Sequence, residues 1–314
     1  MPEEKKTALV LSGGSIKGAF QAGALQEVLS SGIQPDAIYG ISVGSLNGGF
    51  LADRAGKAAL AGNDPDWPAI GNELVQFWQG EIDSFDKLGK ERGKVSLLWS
   101  VIRGKFDGAI DTARLQKLVK QILSEDDLAA YPGIFKAGAV NLISGELVQA
   151  DQHNSARQLR EFIIASTAIP VVMPSSMIGR TPYVDGGARD VATLHEAIAD
   201  GATRIICILC QEEKMGAAAV DPGNLVEFGD RLMGIVTNET LNNDLQYAQL
   251  INELLATGKL QPEDKGDGES YRQLDLTIIR PASPLNIELT DFDTDDIKRL
   301  IKLGREAALA QMHS

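Results

Sequence analysis

The tightest constraint on this chain lies in its first 55 residues, where strand, glycine turn and helix follow one another twice. Residues 7–12, TALVLS, form an apolar run of strand length. Gly13 to Lys17 is a turn, and from Gly18 to Ser31 the residues Phe20, Ala24, Leu25 and Val28 recur at helical spacing. A second strand within GIQPDAIYGIS ends at Ser42, and SLNGGFLADRAG restarts as a helix. This alternation is that of an α/β protein with a parallel sheet. Later, TARLQKLVKQIL, SARQLREFIIASTA, VATLHEAIADGA, residues 223–258 and DTDDIKRLIKLGREAALAQ read as helices. IFKAGAVNLISGELVQA reads as two strands around a Ser-Gly turn, and TPYVDGG, TRIICILC and YRQLDLTIIRP each contain one more. No repeat or linker divides the chain. One domain over 1–314 is expected, with an irregular, lid-like insertion at about 60–110 and a mobile loop at about 259–270.

The first glycine turn suits an anion. Free N–H groups at a helix N-terminus stabilise a phosphate or the oxyanion of acyl transfer. A nucleotide fits poorly. A phosphate-cradling loop needs Lys directly after its last glycine, and Ala19 follows Gly18. A dinucleotide fingerprint needs a second glycine where Ser15 stands, and an acid where the next strand ends on Tyr39-Gly40. A turn needed only for close packing is the other reading.

The second turn, Gly40-Ile41-Ser42-Val43-Gly44, is the only G-x-S-x-G in the chain. Between a strand and a helix this pattern presents a serine at a sharp bend, with glycines leaving it room. A serine nucleophile needs a base. His153 lies in a polar stretch, His195 in a helix and His313 next to the last residue, so none has a strand-end or glycine-rich setting. Asp185 does: it closes a strand and precedes Gly186 and Gly187. An ordinary Asp-Gly turn is the alternative.

The net charge of −13 argues against nucleic acid as a partner. The start, MPEEKKTALVLSGG, does not look like a signal peptide, and no run reaches the ~18 apolar residues of a membrane span. A cytoplasmic location is expected. Cys207 and Cys210 sit three apart in a strand and lack a second pair for zinc, so they read as core residues on opposite faces.

Taken together, Gly13-Gly14-Ser15-Ile16-Lys17-Gly18, Gly40 to Gly44 and Asp185-Gly186-Gly187 resemble the patatin-like phospholipase family. That family carries G-G-G-x-[KR]-G, then G-x-S-x-G, then D-G-[GA] about 140 residues later. IIASTAIPVVMPSSMIGRTPYVDGG, NLISGELV and HEAIADGATRIICIL are also similar to family segments. The likeness is good over about 7–60 and 110–210, and faint over 60–110 and 211–270. It implies a three-layer α/β/α sandwich around a mostly parallel sheet, and a lipid acyl hydrolase with a Ser42–Asp185 dyad, no histidine, no metal and no cofactor. It places the oxyanion hole at Gly13, Gly14, Ser15 and Val43, supported by Lys17, Gly18, Gly40, Gly44, Gly186 and Gly187. An acyltransferase and a non-catalytic lipid-binding protein are the alternatives on the same scaffold. The chain departs from the family at Ser15, which replaces a glycine, and at Val191 and Thr193, where Asn and Pro are usual. Lys17 suits either an anionic substrate or a solvated helix start.

One segment speaks outside the resemblance. Residues 87–106 hold Lys87, Lys90, Arg92, Lys94, Arg103 and Lys105 against Glu91 alone. Within it Val95, Leu98, Trp99 and Ile102 fall on one helical face. Such a face with flanking cations suits an anionic membrane surface, or else packing on the core. The oligomeric state cannot be read from the sequence.

Overall fold

The structure, a computed structural model, describes residues 6–93, 107–155, 157–217, 220–221, 223–262 and 271–312. The chain opens with β1 (Thr7–Leu11), α1 (Gly18–Ser30), β2 (Ala37–Ile41), α2 (Val43–Leu60) and α3 (Trp67–Glu81). A short helix α4 (Phe85–Leu88) and the two-residue strands β3 (Lys90–Glu91) and β4 (Ile110–Asp111) follow. Next come α5 (Ala113–Ile122), α6 (Glu125–Ala129), β5 (Ile134–Asn141), β6 (Leu147–Asp151) and α7 (Leu159–Ser166). The last part holds β7 (Ser176–Ile178), β8 (Thr181–Asp185), α8 (Leu194–Ala199), β9 (Arg204–Ile208), α9 (Leu225–Ala256), β10 (Asp275–Ile279) and α10 (Thr294–Met312).

The main sheet has the order β10-β9-β1-β2-β5-β8-β7, with β6 also paired to β5. β10, β9, β1, β2 and β5 run parallel, whereas β6, β7 and β8 add antiparallel pairings at one side. Strand side chains alternate between faces. Leu9, Leu11, Ile38, Ile206 and Ile208 therefore share one core with α1, α2, α3 and α10, while Ala8, Val10, Tyr39, Ile205 and Cys207 share another with α8 and α9. The result is the expected three-layer α/β/α sandwich around a mostly parallel sheet. Cys207 and Cys210 are free, fully buried and packed in different cores, as the strand reading requires.

The region 60–110 is more regular than expected. Residues 67–81 form α3, a 15-residue helix that buries Trp67, Ile70, Leu74, Val75 and Trp78. The Asp66 side chain accepts the Ala69 N–H at 3.0 Å and caps it. Two interrupting glycines, Gly71 and Gly80, hide this periodicity in the sequence. Within the basic segment, Lys87 pairs with Asp83 at 2.9 Å, and Arg92 donates to the Asp107 carbonyl at 2.7 Å. The helical face read at Val95 to Ile102 lies outside the described residues, as do 263–270 of the expected mobile loop. Among the described residues no helix is long and apolar enough to cross a membrane.

Candidate active site

Ser42 sits between β2 and α2 with φ 55° and ψ −125°, a left-handed backbone that a side chain rarely adopts. The bend is tight. A Cβ at position 40 would lie 2.4 Å from the Gly44 carbonyl oxygen, and one at position 44 would lie 2.1 Å from that of Leu11. Both outer positions of the G-x-S-x-G turn must therefore be glycine. The Ser42 N–H donates to Ser166 Oγ at 2.7 Å, and its carbonyl accepts the Ser45 hydroxyl at 2.6 Å.

Strand β5 brings the acid to the serine. Its residues 136–138 pair with β2 on one edge and with β6 on the other. Residues 139–140 still pair with β6, but their other edge now carries β8. So β8 takes over the edge of β5 where β2 stops. β2 ends at Ile41 opposite Gly138, and β8 arrives antiparallel and ends at Asp185 opposite Ala139. Two strand ends thus meet across consecutive residues of one neighbour, and Ser42 and Asp185 line the same cavity, with the serine hydroxyl near enough to lower the pKa of the acid.

Asp185 is 4% exposed. Its carboxylate accepts the Gly187 N–H at 2.7 Å, and its own N–H donates to the Ala168 carbonyl at 2.9 Å. Burial lifts its pKa to about 7, although the Ser42 hydroxyl and the Gly187 N–H pull the other way. That is far from an ordinary carboxylate, and it puts the group in the range where a general base works best at neutral pH.

The first glycine loop lies beside this pair. Gly13 packs against Ser42, but its N–H donates to the Val191 carbonyl at 2.9 Å, and its carbonyl accepts Gln211 Nε2 at 2.9 Å. Both backbone groups of Gly13 are therefore occupied, and it shapes the loop instead of donating to an oxyanion. Among the described residues, no partner takes the N–H of Gly14, Ser15 or Val43. Ser15 adopts φ 54°, which explains why glycine suits this position and shows that a Cβ is accommodated. Gly14 must stay bare, since a Cβ there would fall 2.2 Å from that of Cys210. Val191 contributes its backbone, so the missing family Asn removes nothing from this contact. Thr193 is buried with its hydroxyl unpaired among the described residues.

Two chambers meet at Ser42, and both touch Ser15, Ile16, Ile169 and Leu289. One is a narrow apolar slot of about 60 Å³ walled by Val43, Leu46, Trp78, Phe85, Leu115 and Met173. The other, about 460 Å³, is wider and carries Lys17, Gln211, Glu212, Arg231 and Glu288. Lys17 therefore faces the site rather than only solvent. His153 and His195 are exposed and line neither chamber, and His313 lies outside the described residues. Among the described residues no group of three His, Cys, Asp or Glu side chains could hold a metal ion.

Three supporting residues escape sequence reasoning: Ser166, Gln211 and Asn47. Asn47 accepts Trp78 Nε1 at 2.8 Å and donates to the Gly18 carbonyl at 3.1 Å, tying α3 and α2 to the start of α1. None stands in a motif that chemistry alone would single out.

Comparison with known proteins adds the following. The sequence profile described as patatin-like phospholipase matches residues 9–198. No curated protein sequence matches. Among solved structures, VipD from Legionella pneumophila is similar over 99% of this chain and 67% of its own, with 13% identity and a TM-score of 0.44.

Proposed function

Since the chain belongs to the patatin-like phospholipase family, we propose that it is a lipid acyl hydrolase acting through an acyl-serine intermediate, with Ser42 as nucleophile and Asp185 as base. The observation that carries this reading is a serine at a strained strand–helix turn, brought by the exchange of strands on β5 into one cavity with a buried carboxylate of raised basicity. Ser42 Oγ attacks the ester carbonyl as its proton passes to Asp185. The N–H groups of Gly14, Ser15 and Val43 hold the oxyanion, each such donor being worth about 3–4 kcal/mol in the transition state. Asp185 returns the proton to the leaving alcohol, then draws one from the water that attacks the acyl-serine and passes it to Ser42 Oγ as the fatty acid leaves. The apolar slot takes the acyl chain and the wider, polar chamber takes the alcohol with its headgroup. Two free thiols suit a reducing compartment, and the reading places the enzyme in the cytoplasm, reaching its substrate at a membrane surface.

The test is a panel of phospholipids, lysophospholipids and simple esters offered to purified protein, with Ser42→Ala as control. The wild type releases free fatty acid, the variant does not, and a fluorophosphonate labels Ser42. Activity persisting in a folded Ser42→Ala protein would sink the assignment. Radiolabelled acyl groups appearing on an added alcohol, with no free acid, would move the reading to acyl transfer.

A further inference from the structure

The geometry points to Ser166 as a positioning residue that sets Ser42 against Asp185, an assignment that rests on the reading of those two as nucleophile and base. Ser166 is the last residue of α7 and is fully buried. Its hydroxyl makes two bonds at once: it accepts the Ser42 N–H at 2.7 Å and donates to the Gly138 carbonyl at 2.6 Å. Gly138 is the residue of β5 opposite Ile41, where β2 ends. With φ positive at Ser42, the strand ladder cannot continue, and the Ser166 hydroxyl bridges the gap between Ser42 and β5.

The same few residues also reach the acid. Two positions on, the Ala168 carbonyl accepts the Asp185 N–H at 2.9 Å. Gly186 approaches the same Gly138 carbonyl, since a Cβ there would lie 2.5 Å from its oxygen. Residues 166–168 therefore grip the backbone N–H of both partners, and the Gly138 carbonyl lies between the two turns. Removing the hydroxyl leaves a buried donor and a buried acceptor unpaired, and frees the bent backbone of Ser42 to relax. It also fixes where the Ser42 N–H points: toward α7 and away from the oxyanion.

The experiment compares wild type, Ser166→Ala and Ser166→Cys on a soluble short-chain ester across pH, with Ser42→Ala as the blank. Thiol replaces hydroxyl at nearly the same volume but bonds weakly, so the cysteine variant keeps the packing even if the alanine variant does not fold. Wild-type turnover that Ser42→Ala abolishes establishes the reading; its absence would fault the dyad and not the role of Ser166. Given that turnover, displacing Ser42 should lower kcat by roughly 10- to 100-fold with little change in KM. The acid limb of the pH profile should also move to higher pH, because the Ser42 hydroxyl, which lowers the Asp185 pKa, is moved away. A residue that only supports folding would lower the active fraction and leave that limb where it was. Folded variants with wild-type kcat, or with reduced kcat and an unmoved acid limb, would overturn the inference.

Discussion

Asp185→Asn should inactivate the protein and stabilise its fold at neutral pH. In the unfolded chain this carboxyl titrates at the ordinary 3.8, whereas in the native state burial lifts it to about 7. Between those values the native state binds the proton more tightly, so stability falls as pH rises through the interval and levels off above it. Three units at about 1.4 kcal/mol each give up to ~4 kcal/mol of native-state cost at pH 8. The amide removes that cost. Its oxygen can still accept the Gly187 N–H, but the charge-assisted bonds are weaker, so a net gain of about 1–3 kcal/mol is expected. The assay is urea unfolding of both proteins at intervals from pH 4 to 8. All other titrating groups are common to both, so the difference between the two curves isolates position 185. That difference should be near zero or unfavourable to the variant at pH 4, grow toward pH 7 and then stay flat. Parallel curves would refute the claim that burial sets the basicity of Asp185. The same shift predicts an acid limb in wild-type kcat/KM: about two units below the native pKa, at pH 5, only about 1% of the base is ionised, and activity should fall about 100-fold.

Ser15→Gly should relieve the left-handed strain at φ 54° and keep the backbone N–H, so activity should persist while stability rises by up to ~1 kcal/mol; loss of turnover in a folded variant would mean the Ser15 side chain acts in the reaction. Leu115→Trp should shorten the apolar slot, cutting kcat/KM for long acyl chains at least 10-fold against short ones; an unchanged ratio would place the acyl chain elsewhere.

Much of the candidate site is legible in the sequence because its motifs carry local physics. The two outer glycines of the elbow, the strand-end aspartate and its Gly-Gly turn are short-range requirements, and each could be read in order along the chain. What could not be read depends on long-range pairing. The exchange of β2 for β8 on one edge of β5 is a register event between residues far apart in sequence, and nothing near Asp185 announces its antiparallel arrival. In sequence the Gly13 loop looks uniform and Gly13 reads as an oxyanion donor, but the carbonyl of Val191, about 180 residues away, takes its N–H. Ser166 lies in an apolar stretch where a serine looks incidental. The basicity of Asp185 follows from burial, which composition does not reveal. Helix α3 is hard to read because Gly71 and Gly80 break its apolar pattern.

The edge exchange on β5 also says when the protein can become active. Ser42 and its glycine loop emerge early in synthesis, but Asp185, Val191 and Gln211 all come from one later stretch. On the proposed dyad, a nascent chain of about 150 residues holds the nucleophile with no proton acceptor, and a loop without the two contacts that shape it. Hydrolysis must wait until β8 has docked on β5 and the segment through Gln211 has closed over Gly13. On that reading an enzyme that cuts lipids is harmless on the ribosome, and any truncation before residue 185 should yield an inert protein, however well its first half folds.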